Sequence, residues 1–352
     1  MTKEITTLIL IVGFGVLSLA GAVPSKPLDQ AQAYTVCPEG PPACTFTQIQ
    51  DAINRVPEGA TITIKAGTYE ENLLIRKSLA LQALEGEHVM VKSATASLPT
   101  LLVVSSRPMQ VDVVGLTILP AQEHQGNGIE IMGTVAARIE RNTIQGYQYG
   151  ILVLGKAEGL SPSKLTVTIG ENMIRDNSSG VVVWQSANVT ISKNSLQDNK
   201  APGGVGGIIM GHSHNIVVSG NRIQDNSGYG IGILQSEAIQ IMSNLIKTNP
   251  LGIFVGGSQA ELFGNQVEHN GIGVAAVADG PEDSRVSLIG NRIIHQENYG
   301  LAVERLDQVN ICRQNDIREN RQGDYLVQSP LFSLQPRRDP KAEEELRKRC
   351  EG

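Results

Sequence analysis

One phrase recurs along the chain and limits what it can fold into. An Asn followed two residues later by an apolar side chain stands at Asn142, Asn172, Asn194, Asn221, Asn244, Asn265, Asn291 and Asn315, at spacings of 30, 22, 27, 23, 21, 26 and 24 residues. The apolar partners are Ile144, Ile174, Leu196, Ile223, Ile246, Val267, Ile293 and Ile317. In six repeats a second Asn lies five residues on, at Asn177, Asn199, Asn226, Asn249, Asn270 and Asn320. A period near 22 with three short apolar runs per repeat means an all-β solenoid, one coil per repeat. Asn tolerates the left-handed backbone of a sharp turn, and stacked Asn side chains can bond one another and the turn backbone. The asparagines are therefore expected to be scaffold, in a stack of roughly ten coils.

Composition agrees. Aromatic residues make up only 4% of the chain and there are 37 glycines, which suits short strands and turns better than helical packing. The net charge of −6 and the lack of a basic patch exclude nucleic acid and anionic membrane surfaces as partners. Lys3, the apolar run Leu8 to Ala20 and the small residues Ala20-Gly21-Ala22 read as a secretory signal over residues 1–22, cleaved after Ala22. No later stretch is apolar enough to span a membrane. Cys37, Cys44, Cys312 and Cys350 form an even set in an exported chain, so two disulfides are expected. Three pairings are possible. Cys37–Cys44 would close a short Pro-rich loop in the leader 23–44, and Cys312–Cys350 would tie the tail to the last repeats.

Residues 45–56, TFTQIQDAINRV, carry Phe46, Ile49, Ala52, Ile53 and Val56 at helical spacing, with Thr45 available as N-cap and Pro57-Glu58-Gly59 as stop. The pattern then changes to period two, with Ile62, Ile64, Leu73, Ile75, Leu79 and Leu81 on one side of short strands. The turn Gly67-Thr68-Tyr69-Glu70-Glu71 followed by Ile75, Lys77, Leu79 and Leu81 resembles the first coil of the right-handed parallel β-helix proteins, the pectin-lyase-like superfamily with its PbH1 repeats. In that family an amphipathic helix covers the open end of the stack. The resemblance extends over residues 45–329 and implies a single-stranded right-handed parallel β-helix with an N-terminal capping helix. Its members include enzymes and non-enzymes, so it specifies architecture better than activity.

Four insertions break the period: 120–127, 155–164, 200–205 and 279–284. In solenoids such loops often shape a binding surface. The tail 330–352 leaves the repeat, and 339–349 reads as a short charged helix pinned by Cys350.

The strand that opens each repeat with Gly–apolar is the place to expect chemistry, because the related pectin-degrading enzymes hold their reaction site there. Its outward positions, from Glu130 through Phe254 to Tyr325, are mostly apolar. Clustered Asp with nearby Arg or Lys, as a lyase or hydrolase of this architecture needs, is missing from the middle of the row. Trp184, Phe254 and Tyr325, with Glu130 at the N-terminal end, are instead candidates for binding a polysaccharide or a protein along an exposed strip. Asp176, Asp198 and Asp225 precede the second Asn in three successive repeats. They are the candidate carboxylates for catalysis or, with a hard cation between them, for Ca²⁺. Met210, His212 and His214 offer soft and imidazole donors of the kind that hold copper. The repeats also resemble a periplasmic maturation factor for a copper enzyme, the NosD type. His212 shares its slot with Gln185, Gln235 and Gln328, followed by a Ser column, which reads as turn structure.

The expectation is an exported protein, secreted or periplasmic, that binds a polysaccharide or a cell-envelope protein along the solenoid without catalysis. A polysaccharide lyase or glycoside hydrolase is the alternative, and a copper-handling protein the third reading.

Overall fold

The computed structural model describes residues 34–155, 166–200, 205–278, 283–329, 331 and 337–351. The signal 1–22, the leader as far as residue 33, and most of the insertions at 155–164, 200–205 and 279–284 lie outside the described residues. The described residues all belong to the unit that begins at Ala33.

Each repeat folds into three strands. One coil runs through Ser179–Trp184, Ala187–Ser192 and Ser195–Gln197, and the next through Gly206–Gly211, His214–Ser219 and Arg222–Gln224. Equivalent strands pair in parallel and in register: Val182 with Ile209, Thr190 with Val217, Leu196 with Ile223. Three stacks result, named first, second and third in chain order within a coil. The third holds eleven strands, from Gly67–Glu70 to Asp316–Arg318, close to the ten coils expected.

The core is the inside of the coil. Ile208, Ile216 and Ile223, one from each stack of the same repeat, are fully buried, and their equivalents in neighbouring coils continue the same columns. Burying each such side chain contributes roughly 1.5–3 kcal/mol.

The asparagines form two ladders. Asn172 donates from its N–H and its Nδ2 to Asn194 Oδ1, at 2.9 and 3.0 Å, and its Nδ2 also reaches Ile139 O at 2.8 Å. This first ladder turns the chain from the second stack to the third, and the pattern continues to Asn315. The second ladder, Asn177 onward, turns the third stack towards the first. It crosses one gap in the motif. Asn270 donates to Gln296 Oε1 at 3.2 Å, and Gln296 N–H donates to Asn320 Oδ1 at 2.9 Å, so the longer amide does the work of Asn. Beside this ladder the first stack begins with glycine because there is no room for more. A Cβ on Gly207 would lie 2.8 Å from Gly230 O and 3.2 Å from Asn226 Nδ2.

Both ends are closed. The helix Ile49–Arg55 buries Ile49, Ala52 and Ile53 against the first coil. Thr45, expected as its N-cap, is instead held in the preceding chain by Thr35, whose carbonyl accepts the Thr45 N–H at 3.0 Å. The helix begins after Gln48, and the carboxylate of Glu71 accepts from the N–H groups of Ile49 and Gln50, each at 2.8 Å. The second Glu of the GTYEE turn thus satisfies helix donors that would otherwise lack partners. Cys37 pairs with Cys44 and Cys312 with Cys350. The helix Pro340–Glu351 buries Leu346 and Cys350, and Asp339 Oδ1 accepts from Lys341 and Ala342 N–H at 3.1 Å. No described helix is long and apolar enough to cross a membrane.

Candidate functional site

The outward column of the first stack runs Glu130, Leu152, Val182, Ile209, Gly232, Phe254, Ala275, Ala302 and Leu326 by strand register. The last position corrects the sequence reading. Tyr325 pairs with Leu301 and faces inward, into the main core, where Arg347 of the C-terminal helix covers its ring at 6.0 Å. Phe254 is buried beside Ala275, Ala302 and Leu326 in a second cluster, with the Tyr229 ring stacked on it at 4.9 Å. Leu331 packs at the C-terminal end of the same cluster. The apolar strip is largely covered by the chain's own side chains. Trp184 keeps partial exposure, lying against Gly211 with His212 edge-on at 4.9 Å. Glu130, at the other end, accepts from Asn127 Nδ2 at 2.7 Å.

The donors considered for copper do not converge. Met210 is fully buried in the core, whereas His212 sits in a left-handed turn with Gln185 and Gln235 as its equivalents. His214 is exposed at the start of a second-stack strand. Asp176, Asp198 and Asp225 all adopt the left-handed conformation that precedes the second ladder, in one column with Thr248, His269, His295 and Glu319. Asp176 pairs with Arg175 at 3.0 Å and Asp198 with Lys200 at 2.9 Å. Asp198, through that hydrogen bond, and then Asp225 and Asp176 through their charges, hold the Lys200 ammonium more firmly protonated than usual. Asp176 and Asp198 are thus each paired with a protein cation. Among the described residues no three His, Cys, Asp or Glu side chains are gathered closely enough to hold a metal. Asp176, Asp198 and Lys200 do line one polar recess of about 480 Å³ with Glu123 and His124, at the insertion 120–127.

A larger concavity lies on the outward side of the second stack. This groove, of about 600 Å³, crosses five consecutive strands, His214–Ser219, Glu237–Met242, Gln259–Phe263, Arg285–Ile289 and Val309–Arg313. At ordinary strand spacing that is about 19 Å along the stack. Its floor carries Gln240, Gln259, Glu261 and Arg285, because period two sends alternate residues of these strands outward while Ile239, Ala260 and Val286 face the core. One wall comes from Asp283 and Ser284 at the end of the insertion 279–284, and from the 3-10 turn Leu306–Gln308. Arg305 ties the two together, pairing with Asp283 at 2.5 Å and Asp307 at 3.1 Å. These bonds, that to Asp283 first, hold its guanidinium more firmly charged.

Two local irregularities complete the groove. Val309 and Ile311 oppose the consecutive residues Val286 and Ser287, so Asn310 is the extra residue of a bulge and joins the lining. Gln308 is only 1% exposed. Its Oε1 accepts from Glu304 and Arg305 N–H at 2.9 and 3.1 Å, while its Nε2 is buried without a partner.

An apolar shelf adjoins the polar groove. Phe263 is 53% exposed and Ile311 40% exposed, and they share a smaller depression with Met242 and Ile289. Gln240, Glu261 and Ser287 line both depressions, so ring and polar floor are continuous. Sequence reasoning missed this site. Phe263 was the available signal, an aromatic residue at an outward position of QAELF, where neighbouring outward positions are polar.

Residues 127–282 match the family described as the right handed beta helix region. No curated protein matches the chain significantly in sequence. Several solved structures share its fold. The periplasmic alginate epimerase AlgG is 17% identical with a TM-score of 0.54, the alignment covering 80% of this chain and 83% of that one. The A-module of the Azotobacter vinelandii mannuronan C-5 epimerase AlgE4 is 14% identical, with a TM-score of 0.53 and coverage of 81% and 93%. XylC in complex with xylose is 13% identical, with a TM-score of 0.59 and coverage of 76% and 69%. In its coils and ladders the chain has the fold of a right-handed parallel β-helix, and residues 127–282 are similar in sequence to the family of that description.

Proposed function

We propose that this is an exported, non-catalytic glycan-binding protein whose binding surface is the second-stack groove with its Phe263 shelf. The single observation that carries the reading is the continuity of an exposed aromatic ring with a floor and walls of Gln, Asn, Asp, Glu and Arg. A sugar ring presents an apolar C–H face to stack on an aromatic and a rim of hydroxyls that both donate and accept. Planar amide, carboxylate and guanidinium groups serve such hydroxyls in pairs. The fold-sharing proteins named above are alginate and mannuronan epimerases and a xylose complex, which is consistent with a carbohydrate ligand. Two disulfides, one at each end of the described stack, fit an oxidising compartment outside the cytoplasm.

The test is calorimetric titration of the protein with a panel of soluble polysaccharides, followed by chromatography of each after prolonged incubation. Saturable binding with no change in polymer length supports the reading, and no binding to any polymer sinks it. The recess formed by Glu123, His124, Asp176, Asp198 and Lys200 keeps a second reading open, a polysaccharide lyase or glycoside hydrolase. Shortened products or unsaturated ends, lost in Asp198→Asn, would establish that reading instead.

A further inference from the structure

Resting on the glycan-binding reading, we infer that the groove takes a neutral glycan and discriminates against uronic-acid polymers. The charges of the lining carry the inference. Glu261, Asp283 and Asp307 face Arg285 and Arg305, leaving one net negative charge in the groove. Arg305 is already engaged by two of those carboxylates, at 2.5 and 3.1 Å, in the geometry that would otherwise be offered to a ligand carboxylate. Arg285 makes no ion pair among the described residues, yet it lies on the floor next to Gln259, in a groove whose carboxylates outnumber its guanidinium groups. A polyuronate carries one negative charge per residue, and a chain of net charge −6 adds repulsion at long range. Gln240, Gln259, Asn215 and Asn310 offer neutral amides on the same surface, suited to hydroxyls.

Phe263 lies beyond Glu261 on the flank opposite the Leu306–Gln308 wall, so a sugar stacked on the ring leads its chain across the polar floor.

The experiment compares neutral oligosaccharides (xylan-, glucan- and mannan-derived) with oligogalacturonate and alginate oligosaccharides, at 20 mM and 500 mM salt. The expected result is that the best neutral ligand binds at least about tenfold more tightly than any polyuronate at low salt, its affinity changing less than about twofold with salt. The gap narrows as salt screens the groove. Glu261→Lys, at an exposed position that leaves the fold intact, reverses one charge on the groove floor and should raise polyuronate affinity. Polyuronates that bind more tightly than every neutral ligand at low salt overturn the inference and leave glycan binding standing. Absence of binding to every oligosaccharide removes the reading on which it rests.

Discussion

Asn221 Oδ1 accepts two hydrogen bonds from Asn194, from the N–H at 2.9 Å and from Nδ2 at 3.0 Å, and both residues are buried. That relationship, repeated coil by coil, holds the turn from the second to the third stack. It also makes every rung depend on the next. Asn221→Ala removes the acceptor for Asn194 and the donor to Ile191 O, which lies 2.9 Å away. Each buried group left unpaired costs about 1–3 kcal/mol, so a loss of about 3 kcal/mol or more is expected in urea denaturation. Asn310→Ala, at an exposed bulge, should stay within about 0.5 kcal/mol of the parent.

Glu71 gives a second prediction. Its carboxylate caps a helix 21 and 22 residues earlier in the chain. Glu71→Ala should lower the denaturation free energy by about 1–2 kcal/mol, and Glu71→Gln by less, since an amide oxygen still accepts but lacks the charge that favours a helix N-terminus. Amide exchange in residues 49–55 should speed up in the same order.

Alkaline pH gives a third. Burial, and then the charges of Glu39, Glu87 and Glu71, push the Tyr69 phenol up to about 12. Burial also raises Tyr147, against a smaller opposing effect of its 2.7 Å hydrogen bond with Thr100, and raises Tyr325, to which Glu351 and Asp324 add. A phenol that holds its proton more tightly when folded contributes stability that is complete below the unfolded value of about 10. That stability is lost as pH rises through the folded value. The denaturation midpoint should be flat from pH 8 to 9.5 and fall steeply above 10. Tyr147→Phe should make the fall shallower, and an unchanged profile would show that Tyr147 does not contribute.

The C-terminal disulfide gives a fourth. Cys312–Cys350 closes 38 residues and anchors the helix that covers Tyr325. Replacing both cysteines by Ser should cost about 2–4 kcal/mol. Limited proteolysis should then cut first within 330–351, with the coils before Cys312 remaining protected.

Much of the scaffold was legible because each repeat restates it. The ladders and the inward Ile and Val columns follow from spacing alone, and the disulfides are one of the three pairings that four cysteines allow. The register failed at one place for a specific reason. In earlier coils a glycine opens the first-stack strand, and Gly323 invites the same reading. Gly323 in fact pairs with Tyr299, and Asp324 holds the position of Gly300. Asp324 Oδ1 closes the second ladder by accepting from Asn320 Nδ2 at 2.9 Å. The shift of one residue turned Tyr325 inward. Gln296 was invisible as a rung because the motif was defined by Asn. The groove escaped notice because no local pattern encodes it. Gln240, Glu261 and Phe263 read as ordinary outward residues until the bulge at Asn310 and the bond from Arg305 to Asp283 raise a wall beside them.

If the groove is the binding surface, ligand meets the second stack and not the apolar face of the first. Each face carries one aromatic that can be tested alone: Phe263 on the second, and Trp184, the sole tryptophan, on the first. The direct measurement is calorimetric titration of Phe263→Ala and Trp184→Phe with the best-binding oligosaccharide. The expected result is a loss of at least about tenfold for Phe263→Ala, an affinity within about twofold of the parent for Trp184→Phe, and unchanged Trp184 emission in the parent on saturation. Full affinity in Phe263→Ala together with loss in Trp184→Phe would contradict a second-stack site.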